Sequence, residues 1–478
     1  MRQALMIGGM LLLAGSSALA QPATPEAFVV RRVTYDARID YEATRLSGAI
    51  TLELENWTPK PASRVSFILH RLMQASQVRD SVGAALPFSQ DVVQFEDDPV
   101  RQVTQIVVKL PRAVAPKART TVRIDYAGYL TPYTEVGWLY VKDHIDTAFT
   151  IIRADAMAFP SVGGRNDAAN RRAPRRDFWY DASVTVPTKY LVATGGSLTR
   201  TPHSDGTVTW RYLSGGASPF LNISIAPFDT ISALGVRIFY FPADSTGARF
   251  VATGSQAGMR ALTQWFGPLR GQATLTLNEI PDGWGSQSDP IGGIIQSAAA
   301  FRDTTRINEL YHELTHLWNA TDTDAPSPRW NEGLASFLEE LMKEQLNGWP
   351  GRRAYETKTL AWLSGRIAKD SILRVVPFID YGKRNATGWS YTVGKFMFST
   401  LYDLVGASEF NKIIGGYYQK FVNGGTTREF VTFTKQTAST DLSTFFDDWM
   451  FTTRWTTLVA AATSVGDLGA HYRPRPRS

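Results

Sequence analysis

Residues 312–316 read His-Glu-Leu-Thr-His, and two imidazoles four positions apart can share one metal ion only if the chain between them is helical. Positions i and i+4 leave the same face of a helix, so the motif dictates the local fold. The flanks agree. Ile307, Leu310, Tyr311, Leu314, Leu317 and Trp318 recur at helical spacing and form one apolar stripe. His312 and His316 point away from that stripe, and Asp303 or Thr304 can cap the start of the helix. Two neutral imidazoles suit Zn²⁺, which takes a third protein ligand and keeps a position for water. Glu313 then stands where it can take a proton from that water.

The third ligand is expected from Trp330-Asn331-Glu332-Gly333. Leu334, Phe337, Leu338 and Leu341 make a second apolar stripe, with Glu332 roughly opposite it. Asp322, Asp324, Pro326 and Pro328 give the linker a turn-forming composition, so the chain can reverse and bring the Glu332 carboxylate to the imidazoles. The competing reading is a solvated helix face, since Glu339 and Glu340 follow. Glu309, one turn before His312, either orients an imidazole or is an exposed charge.

His-Glu-Leu-Thr-His followed by Trp-Asn-Glu-Gly-Leu-Ala-Ser-Phe resembles the gluzincin zinc metallopeptidases of the aminopeptidase N and leukotriene hydrolase type. The resemblance implies one zinc ion on His312, His316 and Glu332, with Glu313 as general base. Tyr391-Thr392-Val393-Gly394 resembles that family's Tyr-x-x-Gly segment, which implies that the Tyr391 hydroxyl stabilises an oxyanion. Asp441 to Met450 resembles the segment that closes the catalytic domain. Phe159-Pro160 and Arg176 to Pro187 resemble the rear of the N-terminal β-domain. The implied fold is α+β and multidomain: an antiparallel β-sandwich, then a thermolysin-like domain with a helical lower half.

The chain departs from this family in three places. Fifteen residues separate His316 from Glu332, a shorter linker than the family's. The Gly-x-Met-Glu-Asn segment that grips a substrate's free amine corresponds to Gly285-Ser286-Gln287-Ser288-Asp289. Gly285, Ser288 and Asp289 are therefore the candidate substrate contacts, with Ser288 at the Glu position. A second amine anchor falls near Phe149. Neither a hydroxyl nor a phenyl ring neutralises an ammonium, and burying one unpaired is costly; Asp289 or Asp155 would have to substitute. The expected activity is zinc-dependent peptide hydrolysis without firm exopeptidase character. The alternatives are a peptide-binding protein or a non-peptide, epoxide-type hydrolase of the same fold.

Periodicity divides the chain. From about 27 to 230 it is two: Val33, Tyr35, Ala37, Ile39 and Tyr41 alternate with polar residues, as do Val208, Trp210 and Tyr212 after the Asp205-Gly206 turn signal. From about 245 helical spacing prevails, interrupted by strand-like runs near 273–280 and 293–298. Helices are expected near 354–368, 391–404, 408–421 and 442–450. The expected divisions are a signal peptide 1–20, a sandwich 21–230, a catalytic domain 231–465 and a disordered basic Pro/Arg tail 466–478.

Arg2, the apolar run Ala4 to Ala14 and Ala18-Leu19-Ala20 make up the signal-peptide pattern, which predicts a periplasmic or secreted protein. No later run is long enough to cross a bilayer. There is no cysteine, which excludes disulfides and a lipidated thiol, and a chain of this length can bury an adequate core without them. The net charge of +6 is spread along the chain without a nucleic-acid-binding motif. The expected partner is a peptide or protein substrate.

Overall fold

In the first strand, Phe28–Asp40, the side chains of Val33, Tyr35, Ala37 and Ile39 are buried and those between them are exposed, so a one-faced sheet begins here. The computed structural model describes residues 24–132, 143–173, 177–233, 235–270, 274–289, 291 and 293–473. The expected signal peptide and residues 474–478 lie outside them.

The strand joins a seven-stranded sheet in the order Ser197–Pro202, Thr207–Leu213, Trp179–Pro187, Phe28–Asp40, Arg45–Asn56, Arg119–Tyr129, Met73–Arg79. A four-stranded sheet (Phe88–Gln94, Gln102–Val114, Ala62–His70, Ser161–Val162) shares one core with it. The expected antiparallel arrangement needs one correction: Phe28–Asp40 and Trp179–Pro187 run parallel. A parallel neighbour requires a long return path, and the chain between Asp40 and Trp179 supplies one through the other sheet.

A five-stranded sheet follows, ordered Asp229–Ala233, Val236–Tyr240, Leu275–Ile280, Gly293–Ser297, Gln287–Asp289, with its three middle strands parallel and both edges antiparallel. It is a wall shared by two cores. Val236, Ile238, Tyr240, Leu277 and Ile294 pack with the helices. Phe239, Ile280 and Ile295, alternating with them, pack with the sandwich. Gly293 lets the wall close up: its φ is +87°, and a Cβ there would lie 2.3 Å from the Thr276 carbonyl oxygen. The boundary expected at 230 falls inside the first strand of this sheet.

The helical layer contains Ser245–Phe266, Ile307–His316, Trp330–Asn347, Arg352–Lys369, Ser390–Lys420 and Thr427–Thr437. Ser390–Lys420 is broken at Gly406 (φ 77°), which accounts for the two helices expected there. The segment expected as a helix at 442–450 is helical, an α-helical turn, Ser443–Phe446, running into a π-helical stretch, Asp447–Phe451. The first part of the expected disordered tail differs from expectation. Val465–Tyr472 is helical, because Ser464 and Asp467 form a reciprocal cap and Val465 and Leu468 are buried. No described helix is long and apolar enough to cross a membrane.

His70 closes the Ala62–His70 strand as a neutral ring. Its Nδ1 accepts from the Leu72 N–H (3.2 Å), which leaves Nε2 to donate to the Thr131 carbonyl (3.0 Å). Burial pushes its pKa down from 6.5 to about 4. The folded value lies below the unfolded one, so this stabilisation is complete above pH 6.5 and is withdrawn as pH falls toward 4. The loss is on the order of 3 kcal/mol. Denaturant titrations at pH 7 and pH 4 should show a smaller acid-induced loss for His70→Gln than for the wild type.

Candidate metal centre

The His-Glu-Leu-Thr-His segment forms the second half of the helix Ile307–His316, whose Leu310, Tyr311 and Leu314 enter the core. Asp303 caps the preceding turn by accepting from the Thr305 N–H. The imidazoles of His312 and His316 stand side by side, with ring centroids 4.9 Å apart. Glu332, in the first turn of Trp330–Asn347, reaches between them. Its Oε2 lies 3.4 Å from His312 Nε2 and 3.2 Å from His316 Nε2. Ligands at about 2.0–2.2 Å around a tetrahedral ion stand about 3.3–3.6 Å from one another; both separations from Glu332 are close to this, and all three donors lie within 4.8 Å of one another. Among the described residues they are the one cluster able to hold a metal ion.

The electrostatics also favour a cation. Burial disfavours charge on His312, but its bonds to Glu332 and Glu339 outweigh this and push its pKa up to about 10. Burial would also raise Glu332, yet His316, the two imidazole bonds and Arg329 hold its carboxyl well below the usual range. The carboxylates that raise His312 and the ionised state of Glu332 make the local potential negative, which a bound cation would neutralise in place of the His312 Nε2 proton. The donor set fits the expected ion.

A second layer of residues fixes the first. Glu339, two turns after Glu332 on the same helix, accepts from His312 Nδ1 at 2.8 Å, which turns Nε2 toward the donor cluster. Asn319 stands 2.9 Å from His316 Nδ1. Glu309 has no such role: it pairs with Arg306 at the surface. Glu340 is not a solvated charge but a buried partner of Lys395 at 3.0 Å. Arg329 donates to Glu332 Oε1. Helical arithmetic from Glu332 leads to Glu339, whereas nothing in the sequence marks Arg329.

The short linker still delivers Glu332 because side chains brace it. Asp322 accepts from the Asp324 N–H (3.0 Å) and the Ser327 hydroxyl (2.6 Å), and Ser390 Oγ donates to the Pro328 carbonyl (2.7 Å). Arg329 then starts the helix in the left-handed region, φ 58° and ψ 42°.

Glu313 is buried next to the cluster, and burial raises its pKa against the pull of the two imidazoles and the Ser288 hydroxyl. Tyr391, 37% exposed, lies with its ring nearly parallel to His312, at 12° and 5.9 Å between centroids. Burial of its hydroxyl and the nearby Glu332 raise its pKa. Two glycines let the helices carrying Glu332 and Tyr391 approach closely. Gly333 and Gly394 face each other where Trp330–Asn347 crosses Ser390–Lys420, and a Cβ on Gly333 would fall 2.4 Å from Gly394 Cα. The glycines of Asn-Glu-Gly and Tyr-x-x-Gly therefore meet.

The expected substrate segment lies on the edge strand Gln287–Asp289, against the helix of the two histidines. Gly285 precedes it with φ 76°. Ser288 presents its hydroxyl toward Glu313. Asp289 is engaged elsewhere, accepting from Ser218 Oγ (2.9 Å) and the Ile291 N–H (2.8 Å). Phe149 is buried against Phe241 and Trp284, and Asp155 is exposed. A cleft of about 950 Å³ lies elsewhere, between Arg31, Arg119 and Trp179 of the sandwich and Thr321 and Val422 of the helical layer, and no donor of the cluster lines it.

By sequence the chain matches no protein-family model and no curated protein. Solved structures do resemble it. An M1 zinc metallopeptidase variant from Deinococcus radiodurans superposes with a TM-score of 0.66 at 19% identity, covering 89% of this chain and 94% of that one. The same enzyme without the substitution gives 0.64 at 20% identity over 88% and 93%. The fold is that of the M1 zinc metallopeptidases. A complex of the variant with a Tyr-Ser-Ala substrate gives 0.64 at 19% identity over 89% and 94%.

Gly333→Ala should force the two helices apart, lowering stability by about 1–3 kcal/mol in denaturant titration. It should also weaken metal uptake, because Glu332 is the adjacent residue.

Proposed function

We propose that the chain is a zinc-dependent peptidase. The observation that carries this reading is the convergence of His312 Nε2, His316 Nε2 and Glu332 Oε2 beside the buried carboxyl of Glu313. The names of the structurally similar proteins support it.

When bound, zinc would lower the pKa of a water toward neutrality and polarise the scissile carbonyl. Glu313 accepts the attacking water's proton and passes it to the departing amine. Burial makes it a stronger proton acceptor than an exposed glutamate. The Tyr391 hydroxyl, protonated at neutral pH like any tyrosine and more firmly so for being buried beside Glu332, donates to the carbonyl oxygen as that atom gains charge. Glu339 keeps the His312 ring turned for ligation.

Glu313→Gln should lower kcat by about 10²–10⁴-fold while zinc content stays at one ion per chain. Tyr391→Phe should lower kcat by about 10²–10³-fold. A wild type that takes up zinc yet hydrolyses no peptide in a diverse library would sink the catalytic reading in favour of a binding protein.

We further propose that cleavage is not confined to free N-termini. Ser288 offers a hydroxyl where a carboxylate would be needed to neutralise a substrate ammonium, and Asp289 already holds Ser218. Matched peptides with free and acetylated N-termini should both be cut, as read by mass spectrometry. Cleavage of the free set alone would defeat this specificity. The pattern of residues 1–20 supports export of the enzyme from the cytoplasm, which cell fractionation would check.

A further inference from the structure

We propose that Arg329 is a positioning residue of the metal centre: its guanidinium occupies Oε1 of Glu332 and so confines that carboxylate to ligation through Oε2 alone. The proposal rests on the metal reading above and goes beyond it.

A carboxylate can hold a cation with one oxygen or two. With two, Glu332 would fill the position that a water needs. The two oxygens here have separate tasks. Oε2 lies 3.4 and 3.2 Å from the imidazole nitrogens, while Oε1 accepts from Arg329 Nη2. Turning the carboxylate to present both oxygens would break that charge-assisted bond.

The backbone of Arg329 is held for this purpose. Its φ of 58° and ψ of 42° are sparsely populated by L side chains and persist only where the surroundings fix them. Here the Arg329 N–H donates to Ser327 Oγ (2.9 Å), and the Glu332 N–H donates to the Arg329 carbonyl (3.1 Å). The neighbouring Pro328 carbonyl is held by Ser390, next to Tyr391. The guanidinium reaches Tyr391 as well, with Nη2 3.5 Å from the hydroxyl and Cζ 5.8 Å from the ring centre. The one nitrogen Nη2 serves both the carboxylate and the phenol, and its planar, fixed N–H directions are less well reproduced by a rotating lysine ammonium. The competing reading is an ordinary surface pair at i,i+3, since the Arg329 side chain is 47% exposed.

The test uses the full chain with Arg329→Met and Arg329→Lys. Zinc affinity is measured by chelator competition, the visible spectrum is read after cobalt substitution, and the melting temperature is read without metal. R329M should raise the zinc dissociation constant about 10–100-fold and weaken the cobalt bands, as expected for a rise in coordination number. R329K should fall between R329M and the wild type. The metal-free melting temperature should stay near that of the wild type in both. Zinc affinity and cobalt spectrum equal to wild type in R329M would make Arg329 a surface partner and overturn the proposal. Should R329M fail to fold, wild-type affinity and spectrum in R329K would overturn it equally. A wild type that takes up no zinc would instead overturn the metal reading itself.

Discussion

One carboxylate oxygen between two imidazole nitrogens determines how closely this molecule must pack. Glu332 Oε2 can stand 3.2 Å from His316 and 3.4 Å from His312 only if Trp330–Asn347 lies tight against Ile307–His316. The same helix must also cross Ser390–Lys420 closely enough to bring Tyr391 alongside. Protein interiors are close-packed, so a methyl group at such a crossing moves the helix axes apart. Gly333 and Gly394 remove that methyl from both sides. Glu332 is adjacent to the first glycine and Tyr391 is one turn before the second, so the crossing and the chemistry are encoded together.

The ring of partners around these donors holds them in orientation. Each group of the cluster has an outward contact: His312 to Glu339, His316 to Asn319, Glu332 to Arg329. Buried or half-buried groups held this way lose little orientational freedom on binding an ion, because folding has already ordered them. The raised pKa of His312 and the depressed one of Glu332 express the same arrangement electrostatically.

Helical geometry made the centre of this site legible from residues alone. Four-residue spacing places His312 and His316, and the apolar stripe of Leu334, Phe337, Leu338 and Leu341 turns Glu332 outward. The same arithmetic reaches Glu339 at seven residues, although a carboxylate there reads equally well as a solvated face until its partner is known. Arg329 was not legible, because it acts from a left-handed turn where no periodicity applies. Glu309 misleads for a related reason: helical spacing gives it the right face, but Arg306 is nearer. Non-local features were the least accessible. The parallel pairing of Phe28–Asp40 with Trp179–Pro187 joins strands far apart in the chain. The helix Val465–Tyr472 depends on a core that a short segment of two glycines and few apolar residues ahead of a Pro/Arg run does not suggest.

The sheet shared by the two cores bears on what the site can recognise. Its edge strand Gln287–Asp289 is tied to the sandwich by polar bonds: Asn222 donates to Gln287 Oε1 at 2.7 Å, and Ser218 donates to Asp289 at 2.9 Å. Asn278, on the middle strand, donates to Ser224 at 2.8 Å. The carboxylate of Asp289 therefore serves the junction between the halves, and turning it toward a substrate would break a buried hydrogen bond at that junction. Ser288, which faces Glu313 on the same strand, brings a group that can donate or accept but carries no charge. A backbone amide can satisfy such a hydroxyl, whereas an ammonium would find no charge on this strand and could be neutralised only by occupying the carboxyl of Glu313. The strand that joins the two halves thus leaves a neutral polar edge beside the buried carboxyl of Glu313, and the proposed tolerance of blocked N-termini rests on that edge.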